Sequence, residues 1–462
     1  MVMHSLEDLR AGKLAGSRRL KLACGLEAFP PEIFDLAETL EVLDLSGNAL
    51  SSLPDDLSRL HKLRILFCSD NRFTVLPEVL GRCPRLDMVG FKANRIHTVP
   101  AASLPPGLRW LILTDNEIGA LPASIGQCSG MQKLMLAGNQ LQALPPEMAA
   151  CTRLELLRIA ANRLNELPDW LLGLPRLSWL AYAGNPFCEA AELAQQAGVS
   201  VAGIPWNDLD MQHKLGEGAS GVIHQATWQN GEAVQDVAVK LFKGAVTSDG
   251  LPHNEMNACI GAGEHPGLIP VLGRLDAHPD GTSGLVLALI DTGFRNLAGP
   301  PSLDSCTRDV YPADLVLTPE NAIRIALGIA AAACHLHERG IAHGDLYAHN
   351  ILHCGEGRAL LGDFGAASFH PPDDRQTAEA LERIEVRAFG CLLEELIERC
   401  PALPEFAGAT LVQLQGRCVG DKPAQRPLFA EVAQVLDALA VKLSPCDGVR
   451  PALPVRGQAR LA

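Results

Sequence analysis

The sequence predicts an α/β solenoid of short repeats followed by a separate α+β domain. Three observations predict this. Asn48, Asn71, Asn94, Asn116, Asn139, Asn162 and Asn185 recur at intervals of 23, 23, 22, 23, 23 and 23 residues. Beyond Asn185 that period stops, and a glycine-rich loop, a strand ending in Lys240, the pair Asp345 and Asn350, and Asp363-Phe364-Gly365 follow in order. The 462 residues are also too many for one typical domain.

The repeats come first. Before each Asn stands a short alternating run, such as Leu40-Glu41-Val42-Leu43-Asp44-Leu45. After most of them comes Leu-Pro or Val-Pro: Leu53-Pro54, Leu76-Pro77, Val99-Pro100, Leu121-Pro122, Leu144-Pro145 and Leu167-Pro168. A degenerate copy runs from Leu20 to Pro30, with Cys24 near the Asn position. One such strand cannot bury its apolar side alone, so consecutive coils must stack on a shared core. An Asn side chain both donates and accepts, so a stack of them can satisfy backbone groups at the bend where strand pairing stops. Cys83, Cys128 and Cys151 share one place in three repeats and read as small buried hydrophobes. This pattern resembles the leucine-rich repeat over roughly residues 18 to 190, and the resemblance implies an α/β leucine-rich repeat solenoid.

The Asn register sets the outward strand positions. One row is Val42, Ile65, Met88, Trp110, Lys133, Leu156 and Trp179; the next is Asp44, Phe67, Gly90, Ile112, Met135, Arg158 and Ala181. Both rows belong on the concave surface. A surface row should be polar, yet these carry large apolar and aromatic side chains, the usual mark of an interaction face. Trp110, Trp179, Phe67, Ile112, Met135 and Arg158 are therefore expected to grip a protein ligand, and one candidate is the chain's own second domain. The alternative is that a neighbouring element merely covers the patch.

Composition narrows the rest. A hydrophobic fraction of 47% is that of a folded globular chain. A net charge of -14 argues against a nucleic-acid or anionic-membrane partner. The first residues hold neither a basic nor an apolar stretch, so no secretory signal is read. The longest apolar run, about Ile325 to Cys334, is too short to span a membrane and reads as a core helix. The 14 Cys show no metal-ligand spacing and read as reduced thiols, which places the chain in the cytoplasm.

The divisions expected are an N-terminal segment 1–17, the solenoid 18–198, a second domain 204–443 and a disordered tail 444–462, rich in Pro, Gly and Arg. Glu189 to Ala197 reads as a short helix capping the solenoid. No long Gly/Ser or Pro-rich linker follows, so the two domains are expected to lie close together.

The second domain carries five ordered fragments. They are Gly216-Glu217-Gly218-Ala219-Ser220-Gly221-Val222, Val237-Ala238-Val239-Lys240, Glu255, His343-Gly344-Asp345 with Asn350, and Asp363-Phe364-Gly365. In this order they resemble the protein kinases over about residues 205 to 440, which implies an α+β bilobal kinase fold with ATP and Mg²⁺ as cofactors. Glycines let the backbone lie close over phosphates, where a Cβ would clash. The resemblance assigns Lys240 to the α/β-phosphates and Glu255 to the ion pair that locks it, although Glu232 and Glu264 are near in sequence. It puts the adenine beside Ala238, Ala288 and Leu289. Asp345 would orient the acceptor hydroxyl and take its proton, while Asn350 and Asp363 would hold Mg²⁺. Glu385 to Gly390 and Gln425-Arg426-Pro427 resemble later, non-catalytic kinase helices.

Some positions depart from the family. Gly344 replaces the usual Arg before the catalytic Asp, Tyr347 replaces the Lys usual two residues after it, and Ala348 is similar to the residue of tyrosine kinases. Pro372-Asp373 follows Asp363 closely, so the activation segment is short, and Asp373 is a candidate partner for Arg426. The expected activity is phosphate transfer to a protein hydroxyl, with serine/threonine favoured. A small-molecule phosphotransferase of the same fold and an ATP-binding pseudokinase scaffold remain the alternatives.

Overall fold

A computed structural model describes residues 2–198, 201–218, 220–244, 246–247, 249–370 and 374–443. Eight parallel strands form one sheet in chain order: β1 (Arg19–Lys21), β2 (Val42–Asp44), β3 (Ile65–Phe67), β4 (Met88–Gly90), β5 (Trp110–Ile112), β6 (Lys133–Met135), β7 (Leu156–Arg158) and β8 (Trp179–Ala181). Their central residues Leu20, Leu43, Leu66, Val89, Leu111, Leu134, Leu157 and Leu180 turn inward and are buried. The prolines of the Leu-Pro pairs open the return turns: Pro77 precedes Glu78–Arg82, Pro122 precedes Ala123–Gln127 and Pro145 precedes Pro146–Ala150. A fixed φ with no N–H to satisfy suits that position.

The Asn side chains form the expected ladder. Asn139 donates to Leu113 O at 2.9 Å and Leu136 O at 3.0 Å, and accepts from Ile118 N at 3.0 Å. Asn71, Asn116, Asn162 and Asn185 repeat the arrangement one coil apart. The residue just before each Asn has a left-handed backbone, from Gly47 and Asp70 through Ala161 and Gly184. Cys83, Cys128 and Cys151 are buried beneath the coils, and burial pushes each thiol up to about 11.

Helix α1 (Glu189–Gly198) ends the solenoid. The six-stranded sheet that follows has the order β10-β11-β12-β14-β13-β9, from β9 (Gly203–Pro205), β10 (Leu209–Glu217), β11 (Gly221–Asn230), β12 (Ala233–Phe242), β13 (Val271–Asp276) and β14 (Gly284–Ala288). Helix α2 (Pro252–Ala262) belongs to this lobe. The second lobe is helical, with α3 (Pro319–Glu338), α4 (Arg375–Glu398), α5 (Glu405–Cys418) and α6 (Phe429–Leu443). The apolar run beginning at Ile325 lies within α3, whose Ile325, Ala326, Ile329, Ala330, Ala332 and Ala333 are buried. Thr318 caps that helix by accepting from Asn321 N, and Pro319 occupies its first turn. Among the described residues no helix is long and apolar enough to cross a membrane.

The two domains are packed together, and the concave rows meet the chain's own second domain, one of the candidates the sequence offers for that face. Val42, Ile65, Met88, Lys133, Leu156, Arg158, Trp179 and Ala181 are all buried; Trp110, Phe67, Ile112 and Met135 are partly so. The kinase-like domain covers them. Leu303, on the segment before α3, packs with Val42, Ile65, Met88, Phe67 and Trp110. Leu156 and Trp179 join the core of the helical lobe, while Leu381 and Ile384 of α4 join the core of the solenoid. Helix α1 is correspondingly more than a cap, because its Glu192 accepts from Asn254 of α2 at 3.3 Å.

Candidate active site

The glycine loop joins β10 to β11 as a strand–turn–strand. Glu217 pairs with Lys214 at 3.0 Å and Lys243 at 2.6 Å at the rim of the loop. Gly216 and Gly218 have open space where a Cβ would stand, whereas a Cβ on Gly221 would come within 2.4 Å of Leu241 O. Ser220 is buried and Val222 is half-buried; Ala219 lies outside the described residues. Ala238 is buried on β12, next to β14, whose end carries Ala288 and leads to Leu289.

Lys240 lies on β12 and is ion-paired with Glu255 of α2; Glu255 is the carboxylate that meets it, rather than Glu232 or Glu264. Burial opposes charge on this lysine, but Glu255 and Asp363 more than offset it and keep it protonated. The loop after β14 and α3 brings the remaining groups together. His343 bonds Gly362 O at 3.0 Å and lies against Phe364, which ties Asp345 to Asp363. Asn350 Nδ2 donates to Asp345 O at 3.0 Å and Asp345 Oδ2 at 2.8 Å. Its amide oxygen is the atom left for a metal. With the carboxylate of Asp363 it makes a hard oxygen donor set of the kind that fits Mg²⁺ together with phosphates.

Three further groups act at the site: Glu385, read from the sequence only as the start of a kinase-like helix, and Asp309 and Asp249, which have no sequence signal of their own. Glu385 of α4 accepts from Gly344 N and meets His337 Nε2 at 2.6 Å, so a buried carboxylate fixes the catalytic loop from behind. Burial raises this acid, but His337 and the loop lower it overall. Asp309 grips His349 through the backbone N–H at 2.9 Å and through Nδ1 at 2.8 Å. Asp249, in the loop before α2, accepts from Arg158 Nε at 2.7 Å. The expected pairing of Arg426 involves Asp373, which lies outside the described residues. Arg426 itself donates to the carbonyls of Gly420, Arg383 and Pro175.

The chain carries leucine-rich repeats and a protein kinase domain. A family model of the protein tyrosine and serine/threonine kinases matches residues 209–395, and leucine-rich repeat models match 39–60 and 129–187. The chain is similar to the probable serine/threonine-protein kinase gdt4 of Dictyostelium discoideum, at 30% identity over 32% of this chain and 8% of that protein. It is also similar to the serine/threonine/tyrosine-protein kinase HT1 of Arabidopsis thaliana, at 26% identity over 31% of this chain and 45% of that protein. The serine/threonine-protein kinase PknH of Mycobacterium tuberculosis is 24% identical over 53% of this chain and 39% of its own length. The chain thus spans less than half of each of these relatives.

The repeats contribute to the kinase site directly. Arg158 of β7 donates to Gly344 O at 3.0 Å and to the carboxylate of Asp345, and it is 1% exposed. Trp179 donates through Nε1 to Leu346 O at 3.0 Å and stacks on Tyr347 with ring centres 4.1 Å apart and planes 6° from parallel. Gly344 has φ +73°, and a Cβ there would lie 2.8 Å from Leu180 O and 2.5 Å from Ala366 O. The Arg usual at this position would have no room. A guanidinium reaches the loop from the repeats instead.

Proposed function

We propose that the chain is an ATP-dependent protein kinase that transfers the γ-phosphate to a protein hydroxyl, with serine/threonine favoured, and that its repeats regulate the kinase domain. The observation that carries this is the Lys240–Glu255 ion pair with Asp363 close enough to act on both, together with Asp345 bonded to Asn350. When bound, ATP with Mg²⁺ supplies the phosphoryl group and much of the charge neutralisation. Lys240 would hold the α/β-phosphates, positioned by Glu255, and the backbone of residues 216–222 would cover them. Asp345 would orient the acceptor hydroxyl and take its proton; Asn350 and Asp363 would hold the metal. A serine or threonine acceptor is supported by the similarity to serine/threonine-protein kinases such as gdt4 and PknH. A cytoplasmic setting is supported by the free thiols of the described cysteines, and no nucleic-acid partner is proposed for a chain of net charge -14.

The test is phosphate transfer from labelled ATP with Mg²⁺, comparing the full chain with Asp345→Ala. General-base assistance is worth roughly 10²–10⁴-fold, so the variant should lose at least that much turnover. Mapping the labelled residue then separates serine/threonine from tyrosine. ATP binding with no protein labelling, in the wild type and equally in Leu303→Asp, whose repeat contact is weakened, would defeat the protein-kinase reading in favour of a small-molecule acceptor or a pseudokinase scaffold.

A further inference from the structure

We propose that the concave repeat face is a built-in inhibitor of the kinase site, in which Arg158 occupies the carboxylate oxygen of Asp345 that an acceptor hydroxyl needs. The inference rests on the kinase reading above and names how that site is regulated. Asp345 has two carboxylate oxygens. Oδ2 is bonded to Asn350 at 2.8 Å, and Oδ1 is paired with Arg158. Both oxygens are thus already engaged, one of them by a cation from the repeats.

Arg158 is held from both lobes. Asp249 comes from the loop before α2, while Asp345 and Gly344 O come from the catalytic loop. A guanidinium fastened on both sides stands across the entrance an acceptor chain would use. Trp179 widens the block by stacking on Tyr347, two residues beyond Asp345. Farther along the sheet, Thr307 bonds Glu155, and Leu303 packs on β2, β3 and β4. On the other side of the clamp, Ser368 Oγ accepts from Tyr182 N at 2.9 Å and Ala183 N at 3.2 Å. The repeats therefore cover the catalytic loop together with the segments on either side of it.

The nucleotide half is left assembled. Lys240 and Glu255 are paired, and α1 supports α2 through Glu192 and Asn254. The block falls on the acceptor and not on ATP. Inhibition of this kind leaves nucleotide affinity unchanged and suppresses turnover.

The experiment compares the full chain with Arg158→Ala and with Leu303→Asp, using dephosphorylated casein as acceptor and measuring ATP affinity in parallel. Leu303 lies on the early repeats, away from the catalytic loop, so its variant weakens the docking without touching Asp345. Both variants should transfer phosphate faster than the wild type by roughly 5- to 150-fold, the range of ordinary regulatory coupling, at unchanged ATP affinity. Adding Asp345→Ala to either should abolish the gain. Arg158→Ala decides the matter if it folds, and Leu303→Asp decides it otherwise. Equal or lower turnover in the deciding variant, with the wild type active, overturns the inhibition and leaves the kinase reading standing. Absence of transfer in all three chains defeats the kinase reading and this inference with it.

Discussion

Gly344 is the residue at which the two domains depend on each other most closely. Its backbone is left-handed, which costs an L side chain about 1–2 kcal/mol. Its missing Cβ is also what admits the Leu180 carbonyl. Gly344→Ala should therefore destabilise the full chain by at least about 2 kcal/mol, read as a lower urea midpoint. A loss of a few tenths only would mean the contact with Leu180 is loose. The sequence marks this position by the absence of the family's Arg, and it marks Arg158 as a cation in a row of large apolar residues. It does not link the two. Asp345 and Arg158 are 187 residues apart, and no local periodicity reports a contact at that separation. Lys240, Asp345, Asn350 and Asp363 were legible because each sits within a short fragment whose spacing is fixed by the phosphates it would serve.

At the scale of the element, the solenoid is held by polar side chains as much as by its leucines. Asn139 serves the backbone of two neighbouring coils with three hydrogen bonds and is buried. Replacing it by Ala strands Ile118 N away from water, while Leu113 O and Leu136 O each lose one of two donors and keep Asn116 and Asn162. An unsatisfied buried group costs about 1–3 kcal/mol and each lost hydrogen bond about 0.5–1.5 kcal/mol, so Asn139→Ala should cost roughly 2–4 kcal/mol in urea unfolding. Glu117→Ala, at an exposed position beside the same ladder, is the control and should change little. This ladder was fully legible, because a repeat writes the same physics seven times. Helix α1 was legible as a helix but not in its second role. A cap and a strut have the same amphipathic pattern, and only the position of Asn254 distinguishes them.

At the scale of the whole molecule, the domains share their cores. Leu381 and Ile384 of α4 are buried among the solenoid leucines, while Leu156 and Trp179 are buried in the helical lobe. Interfaces between domains within a chain are usually more polar and easily opened. Here the two parts should unfold together. Calorimetry on the full chain should give one transition, and the double variant Arg158→Ala, Trp179→Ala should split it into two. Two transitions already in the wild type would mean that each core stands without the other. The sequence suggested proximity through its short junction. It could not show which faces meet, because apolar rows look the same whether they await a foreign ligand or their own neighbour. The order of the domains along the chain has a consequence for the moment of birth. Domains emerging from the ribosome fold in sequence, N-terminal first, and the repeats precede the catalytic loop by more than a hundred residues. The strands that close over Asp345 have all been translated before Asp345 is, so each new kinase domain would fold against its own inhibitor.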